Sequence, residues 1–415
     1  MRILVQKFGG SSVATPARIQ ACARRIIAAR EKGYHVVAVV SALGDTTDEL
    51  IELARQVSEE PSRREMDALL STGELVSSAL MAMAIESLGH PAISLSGSQA
   101  GIMTDDTHTK ARILHIDTTR LRQELENGRI VIVAGFQGMN ANSDVTTLGR
   151  GGSDTSAVAL AAALKAEACE IYTDVDGIYT ADPRVVPNAR KLADISYGEM
   201  LEMASLGALV LQPRAVEFAA QFGIQVHVRS SLNESEGTIV REERRMEKDM
   251  IVVGAAHDTN VAKIALTDVP DRPGIAHRIF SQLAAEGVNV DMIVQTNRKQ
   301  QVTDLVFSTS RDDLPLTRKI IEKVREELNA GEALYSDDVA KVSIVGAGMV
   351  SNPGVAARMF EALAEIGANI HVISTSEIKV SCLIDEDKVE EAMRAIHAKF
   401  GLDQAPAAAM DATQS

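Results

Sequence analysis

The feature that most restricts the fold of this chain is a repeat. Asp271-Arg-Pro-Gly-Ile-Ala-His-Arg-Ile-Phe and Ser351-Asn-Pro-Gly-Val-Ala-Ala-Arg-Met-Phe run in register at a constant offset of about 80 residues. The match continues without a gap through Leu283/Leu363, Gly287/Gly367 and Asn289/Asn369. Each copy reads as strand, Pro-Gly turn, amphipathic helix, glycine stop, strand, loop, strand, helix. Ile275, Ile279, Phe280 and Leu283 share one helix face, and Val288, Val290, Met292 and Val294 alternate as a half-buried strand does. Such a unit is a small βαββαβ sandwich of ferredoxin-like type. The first copy spans 264–337 and leaves over a strand at 251–257, which is expected to complete the second copy at 341–402.

Residues 1–232 have another rhythm. Short β-branched runs (Ile3–Val5, Val36–Val40, Ile130–Ala134, Cys169–Tyr172 and Val226–Val228) are nearly continuous, as strands buried on both faces should be. Helix-like stretches such as Ala17–Lys32, Glu74–Leu88 and Thr155–Lys165 lie between them. Alternating strand and helix predicts an α/β domain, a mainly parallel sheet sandwiched by helices. Residues 233–249, NESEGTIVREERRMEKD, are charged and poor in core residues, and read as a linker. The Ala/Pro/Gln-rich stretch 403–415 reads as a flexible tail.

Composition bears on partners. The 415 residues hold 42 Lys plus Arg against 57 Asp plus Glu, a net charge of −15. A nucleic-acid groove or an anionic membrane surface wants the opposite sign, so neither partner is expected. The longest apolar run, Ala157–Leu164, is about a third of a membrane span, and MRILVQKFGG is too short for a signal peptide. Cys22, Cys169 and Cys382 form no CxxC, so neither a zinc site nor a disulfide framework is indicated, and a cytoplasmic location is expected. His108, His115 and His227 have no ligand spacing and read as surface or core histidines; no metal site is expected. Aromatics are 3% with no Trp, so the core must be aliphatic.

Ligands of open α/β sheets bind beyond the carboxyl ends of the strands. Polar or glycine-rich clusters follow several strands here: Lys7-Phe8-Gly9-Gly10-Ser11-Ser12, Ser41 to Thr47, Phe136-Gln137-Gly138, and Thr173-Asp174-Val175-Asp176-Gly177. Lys7–Ser12 has the parts of a phosphate cradle: glycines that let amides approach, a lysine, and a following helix N-terminus. The same residues also suit a plain strand-to-helix turn. No GxxxxGK[ST] loop and no protein-kinase HRD/DFG set is present. Ser71-Thr72-Gly73-Glu74 fits a capping box that opens a helix, or a carboxylate placed beside a substrate ammonium; spacing favours the cap. In Gly149-Arg150-Gly151-Gly152-Ser153-Asp154, Arg150 can take a carboxylate bidentately. Asp154 suits a helix cap or the organisation of Mg²⁺ and a reacting phosphoryl group. A cap alone does not need three glycines and an arginine. Thr173 to Arg184 reads as a solvated loop or as the wall of a nucleotide pocket.

Taken together, KFGGSS at 7–12, SALGDTTDEL at 41–50, STGE at 71–74, GFQG at 135–138, TTLGRGGSDTSA at 146–157 and TDVDGIYTADPR at 173–184 resemble the aspartate kinase family. The resemblance runs from Met1 to about Leu402, and the C-terminal repeat resembles a pair of ACT domains. It implies an amino-acid-kinase fold and transfer of the γ-phosphoryl group of Mg-ATP to the β-carboxylate of L-aspartate. The product would be 4-phospho-L-aspartate, on the way to lysine, threonine and methionine. An aspartate carboxylate, with a pKa of about 3.9, is ionised at neutral pH and needs no general base. The chemical task is to bring two anions together and stabilise spread negative charge.

The resemblance also implies roles. Lys7 and Asp154 would be catalytic; Lys7, Phe8, Gly9, Gly10 and Ser11 would hold the phosphates. Thr173, Asp174, Tyr179, Asp182 and Arg184 would line the nucleotide site. Ser41, Thr47, Glu74, Phe136, Arg150, Gly151, Gly152 and Ser153 would hold aspartate, with Glu74 toward the α-ammonium and Arg150 toward the α-carboxylate, which overrides the cap. Lysine and/or threonine would inhibit by binding at Asp271, Gly274, Ile275, Ala276, Asn289, Asp291, Met292, Gln295, Asn369 and Ile370, between ACT units of a homo-oligomer. Ile275 stands where some relatives carry an acidic residue. Met246 or Met250 could begin a shorter regulatory subunit. Two alternatives stand beside this reading: a kinase of glutamate or an acylated glutamate, and a non-catalytic amino-acid sensor.

Overall fold

The computed structural model describes residues 1–207, 210–242, 251–297, 302–349 and 352–404. Met246 and Met250, most of the tail and the end of the charged segment lie outside the described residues. The chain forms two compact units. One holds residues 1–178, 191–205 and 210–242; the other holds 179–190, 206–207 and the described residues from 251 onward.

The first unit is built on an eight-stranded sheet. Its strands are β1 (Ile3–Phe8), β2 (His35–Val40), β3 (Ala92–Leu95), β6 (Ile130–Ala134), β9 (Ala168–Thr173), β10 (Asp194–Ser196), β11 (Val226–Ser230) and β12 (Thr238–Arg241). They lie in the order β10-β12-β11-β9-β1-β2-β6-β3. Every neighbouring pair is parallel except β11 and β12. A smaller sheet, order β5-β4-β7-β8, is made of β4 (Ile102–Thr104), β5 (Ile113–Ile116), β7 (Gln137–Met139) and β8 (Val145–Thr147). The helices are α1 (Gly10–Val13), α2 (Pro16–Glu31), α3 (Thr46–Val57), α4 (Arg63–Ser87), α5 (Thr119–Glu126), α6 (Gly152–Leu164), α7 (Tyr197–Ser205) and α8 (Pro213–Phe222).

These elements follow from local chemistry. Ile19, Cys22, Ala23 and Ile26 recur at helical spacing on α2 and pack against Leu4, Phe8, Val36, Ala38 and Val40 of the sheet. Thr15 caps α2, accepting from the Arg18 amide, and Pro16 fills the first position, where its missing N–H costs nothing. Helix α6 is Ala-rich and buried on nearly every side, as a helix hydrophobic all round must be.

Several expectations need correction. The charged segment 233–249 contains β12: Thr238 and Val240 point inward and are fully buried, and the Thr238 hydroxyl donates to the Leu192 carbonyl at 2.6 Å. Two inward positions in four are enough for a short strand between β10 and β11, but too few to stand out among charges. Helix α4 begins at Arg63, so Ser71 and Glu74 are interior to it. The cap is Ser62, whose side chain accepts from the Glu65 amide at 3.4 Å. The capping sequence S-x-x-E is therefore at 62–65. The 25 residues of α4 are apolar enough to cross a membrane by length and composition, but 56% of that window is buried within the protein, as in a core helix. Gly151, not Asp154, is the N-cap of α6. TDVDGIYTADPR is divided after Ile178, so Tyr179, Asp182 and Arg184 fold with the second unit.

The second unit contains two four-stranded antiparallel sheets. The first, order β15-β16-β14-β17, comprises β14 (Ala262–Pro270), β15 (Ile293–Asn297), β16 (Val302–Thr309) and β17 (Ala333–Ser336), with α9 (Ile275–Ala285) and α10 (Leu314–Leu328). β15 starts at Ile293; Val288 and Met292 precede it but are buried all the same. The second sheet, order β13-β18-β20-β19, comprises β13 (Gly254–Asp258), β18 (Val339–Val345), β19 (Val372–Thr375) and β20 (Lys379–Asp385), with α11 (Val355–Glu365) and α12 (Val389–Lys399). β13 pairs with β18 from Gly254↔Val345 to Asp258↔Lys341. Gly274 and Gly354 cap α9 and α11 with φ of 92° and 98°, a left-handed turn that favours glycine and explains why both copies keep Pro-Gly. Residues 179–190 add Ala181 and Val186 to the core of the second sheet.

Candidate active site

β1 delivers the first group. Successive strand residues face opposite sides, so Lys7 faces α6 while Gln6 and Phe8 face α2. Lys7 is 9% exposed, and its Nζ lies 2.6 Å from Oδ1 of Asp154 in the first turn of α6. The end of α6 that carries Asp154 is also the positive end of its backbone dipole. A cation, a carboxylate that fixes it and a helix N-terminus thus meet at one point.

Close backbone approach holds the neighbouring loops there. A Cβ on Gly10 would sit 3.0 Å from the Gly44 carbonyl oxygen, and the Gly44 amide donates to the Gly10 carbonyl at 3.1 Å. This seats the loop that carries Ser41 and leads into Thr47 at the start of α3 on the turn after β1. The Ser41 amide adds a bond to the Phe8 carbonyl. Helix α4 meets that loop at Gly73, where a Cβ would come within 2.8 Å of Ala42 Cβ.

That contact lets the next residue, Glu74, take the Ala42 amide on Oε1 at 3.2 Å. Its Oε2 is buried without a partner. Burial pushes the Glu74 carboxyl up to about 7, against the lowering effect of the Ala42 amide. A half-paired buried carboxylate at a loop edge is built to receive a cationic donor.

The remaining walls interlock. Phe136 has φ of 67°, a left-handed conformation unusual for a side-chain-bearing residue. It is held by its amide to Ser156 Oγ at 3.1 Å and its carbonyl to the Leu148 amide at 2.8 Å. Gly152 packs on its ring, and Gly135 lies against Ser153. Gln137 donates to the Ser71 carbonyl at 2.9 Å, which ties this wall to α4. At Gly151 a Cβ would overlap Gln212. Arg150 is exposed and has no partner among the described residues. Ser11 is half-buried beside these groups; Thr173 ends β9 and Asp174 follows it, the Thr173 carbonyl accepting from the Ser231 amide at 2.8 Å.

The structure therefore brings Lys7, Gly9, Gly10, Ser11, Ser41, Glu74, Phe136, Ser153 and Asp154 into one unit with Arg150, Thr173 and Asp174. Tyr179, Asp182 and Arg184 belong to the other unit, where Arg184 Nη2 lies 2.7 Å from Asp182 Oδ2 and holds that carboxyl below its usual range. Sequence reading missed Asp67. It is fully buried on α4 and accepts from His108 Nδ1 at 2.7 Å, the Thr109 amide at 3.1 Å and Thr147 Oγ1 at 2.5 Å. Asp67 lies two turns before Glu74 on the same helix face, which is the signal that could have found it. Arg214 was missed as well; it donates to the Leu148 and Ala111 carbonyls and braces the strand end before Gly149.

In the second unit, Asp271, Gly274, Ile275, Ala276 and Gln295 line one cavity of about 100 Å³ beside α9. The equivalent place in the repeat, at Asn352, Gly354 and Thr375, holds a cavity of about 210 Å³. Asn289, Asp291, Met292, Asn369 and Ile370 line neither. Asp291 is engaged by the buried Lys341 at 2.5 Å, Met292 is buried, and Asn289 uses its carbonyl to accept from Thr309.

Residues 2–230 match the amino acid kinase family, and residues 263–326 and 342–400 each match an ACT domain. An amino acid kinase domain followed by two ACT domains is the class that this fold and site define. The aspartokinase of Mycolicibacterium smegmatis is 52% identical over 408 residues, 97% of each chain. E. coli aspartokinase III in complex with aspartate and ADP (R-state) gives a TM-score of 0.83 at 26% identity, over 96% of this chain and 100% of that one. The same enzyme in complex with lysine and aspartate (T-state) gives 0.74 at 26% identity, over 95% and 99%. The chain belongs to the aspartokinase family and is an ATP-dependent kinase of aspartate.

Proposed function

We propose that this chain transfers the γ-phosphoryl group of Mg-ATP to the β-carboxylate of L-aspartate, giving 4-phospho-L-aspartate for lysine, threonine and methionine synthesis. The observation that carries the proposal is the Lys7–Asp154 pair at the α6 N-terminus, in the same unit as a buried, half-paired Glu74. The acceptor carboxylate is already an anion, so no side chain has to remove a proton. Lys7 opposes the charge that spreads over the transferring group, Asp154 keeps the ammonium aimed, and Gly9, Gly10 and Ser11 supply amides and a hydroxyl to the phosphates. Glu74 takes the substrate ammonium and Arg150 its α-carboxylate, flanked by Ser41, Thr47, Phe136, Gly151, Gly152 and Ser153. Thr173 and Asp174 are assigned to the nucleotide; Tyr179, Asp182 and Arg184 carry that assignment on sequence pattern alone.

Mg²⁺ fits as a companion of the nucleotide. The described residues include no group of three His, Cys, Asp or Glu side chains placed as a cage, and Mg²⁺ is commonly held by one or two carboxylates plus phosphates. Asp154 is the carboxylate at hand, and the ion would neutralise phosphate charge.

Lysine and/or threonine are proposed as inhibitors, bound at the α9 cavity with Asp271 toward the ligand ammonium. Support comes from the lysine present in the E. coli complex. Inhibition requires tighter binding to an inactive arrangement. Effector sites between ACT units would make the enzyme at least a dimer, and a cytoplasmic location accords with three free, buried cysteines.

ADP release from Mg-ATP should require L-aspartate, fail with L-glutamate, and fall when lysine and threonine are added. Turnover with glutamate in place of aspartate would overturn the substrate assignment. Turnover indifferent to both effectors would overturn the regulatory one.

A further inference from the structure

On the opposite face of β1 from Lys7, a groove of about 830 Å³ runs between α2 and the strands β1, β9 and β11. None of the residues assigned above to aspartate or nucleotide lines it. Its floor is polar where a sheet face under a helix is ordinarily apolar. Glu170 sits at the centre. Its Oε2 accepts from Gln6 Nε2 at 2.8 Å and from the Tyr172 hydroxyl at 3.0 Å, and its Oε1 accepts from Arg229 Nη1 at 3.3 Å. A carboxylate offers about four acceptor positions, so about one remains on Glu170.

Two further polar atoms on this floor are buried and unpaired. Gln6 is 2% exposed and its Oε1 has no hydrogen bond; neither has Nε of Arg229. Unpaired buried polar atoms are costly and uncommon, so two flanking one carboxylate point to a ligand. The guanidinium of Arg25 lies 5.4 Å from the Tyr172 ring centroid, and that of Arg229 lies 5.7 Å from it. Arg25 donates to the Asn233 carbonyl at 2.7 Å and pairs with Glu234, which is 81% exposed, a weak surface contact.

The unpaired set has a definite polarity. It offers acceptors on Gln6 and Glu170 and a donor on Arg229, with the Arg25 guanidinium close by as a second, already paired cation. A simple anion would leave the Gln6 oxygen unpaired, a simple cation would leave the Arg229 Nε–H unpaired, and an apolar ligand would leave both. We propose that the groove binds a free α-amino acid as its zwitterion, with the ammonium on Gln6 Oε1 and Glu170 and the carboxylate on Arg229 Nε and Arg25. This site is separate from the aspartate site and from the ACT cavities, and the proposal does not rest on the assignments made there.

Equilibrium dialysis of the full-length chain against each common L-amino acid in turn tests it. At least one should bind with an equivalent that survives the double variant R150A/D271N. That equivalent should weaken about tenfold or more in R229Q, the loss of one charge-assisted hydrogen bond. R25Q, which leaves the buried network intact, should weaken it in the same direction and covers the case in which R229Q misfolds. With no Trp in the chain and Tyr172 in the groove, tyrosine fluorescence should report the same ligand. Three results would each overturn the proposal: no amino acid bound beyond the equivalents that R150A/D271N removes, a surviving equivalent indifferent to both R25Q and R229Q, or a bound amino acid with no effect on tyrosine emission.

Discussion

Glu74 shows how much of the site turns on single atoms. S-x-x-E occurs at 62–65 and at 71–74, and local spacing cannot say which serine caps α4. What decides is tertiary: Gly73 lets α4 touch Ala42, so Glu74 meets a loop amide and loses water. Its carboxyl rises from 4.5 to about 7. A raised carboxyl favours the folded state most below pH 4.5, and that contribution is lost as pH climbs through 7. Glu74→Gln should therefore raise the melting temperature of the free protein more at pH 8 than at pH 5. If the ionised form receives the substrate ammonium, KM for aspartate should rise about tenfold per unit as pH falls below 7, and steady-state kinetics should show that slope. Lys7→Ala should lower turnover by about 10²–10³-fold or more while equilibrium dialysis still detects aspartate binding. Wild-type turnover in that variant would remove Lys7 from the phosphate role. The glycines and Lys7 were legible because their chemistry is local. Asp67 was not, because its three partners come from residues 108, 109 and 147.

At the scale of elements, long buried strands declared themselves. β1, β2, β6, β9 and β11 are runs of β-branched residues, and they form the centre of the sheet with β3 at one edge. The elements that escaped are short. β10 and β12 have three and four residues, and the small sheet is built from strands of three or four, below the length at which alternation can be read. The meeting of α4 with the 41–45 loop is the element-level contact on which the proposed aspartate site rests. Gly73→Ala tests it, since helix propensity alone favours Ala by about 1 kcal/mol. The added methyl would lie 2.8 Å from Ala42 Cβ, so the helix must shift. KM for aspartate should rise, with the change in kcat smaller; an unaltered KM would mean that the contact does not set the position of Glu74.

For the whole molecule, the repeat was the most legible feature, since 80-residue register survives any uncertainty about element ends. It places Asp271 in a cavity beside α9. Asp271→Ala should relieve inhibition by lysine and/or threonine in the ADP-release assay while leaving effector-free turnover near wild type. What the repeat could not announce is that the chain threads between units more than once. A fragment ending at residue 242 would keep the segment 179–190 but lose the core that Ala181 and Val186 fill. Such a fragment should be poorly soluble or melt well below the full chain, which differential scanning fluorimetry would show.

This threading has a meaning for descent and for engineering. A regulatory half joined by one seam can be exchanged like a cassette, and recombination can shuffle it freely among enzymes. Here residues 179–190 are stitched into the ACT half from within the catalytic sequence, where Thr180 meets His397 and the Ala255 amide. A graft made at the charged segment alone would therefore carry a mismatched thread. Residues 179–190 and the surface that receives them must be inherited, or redesigned, together.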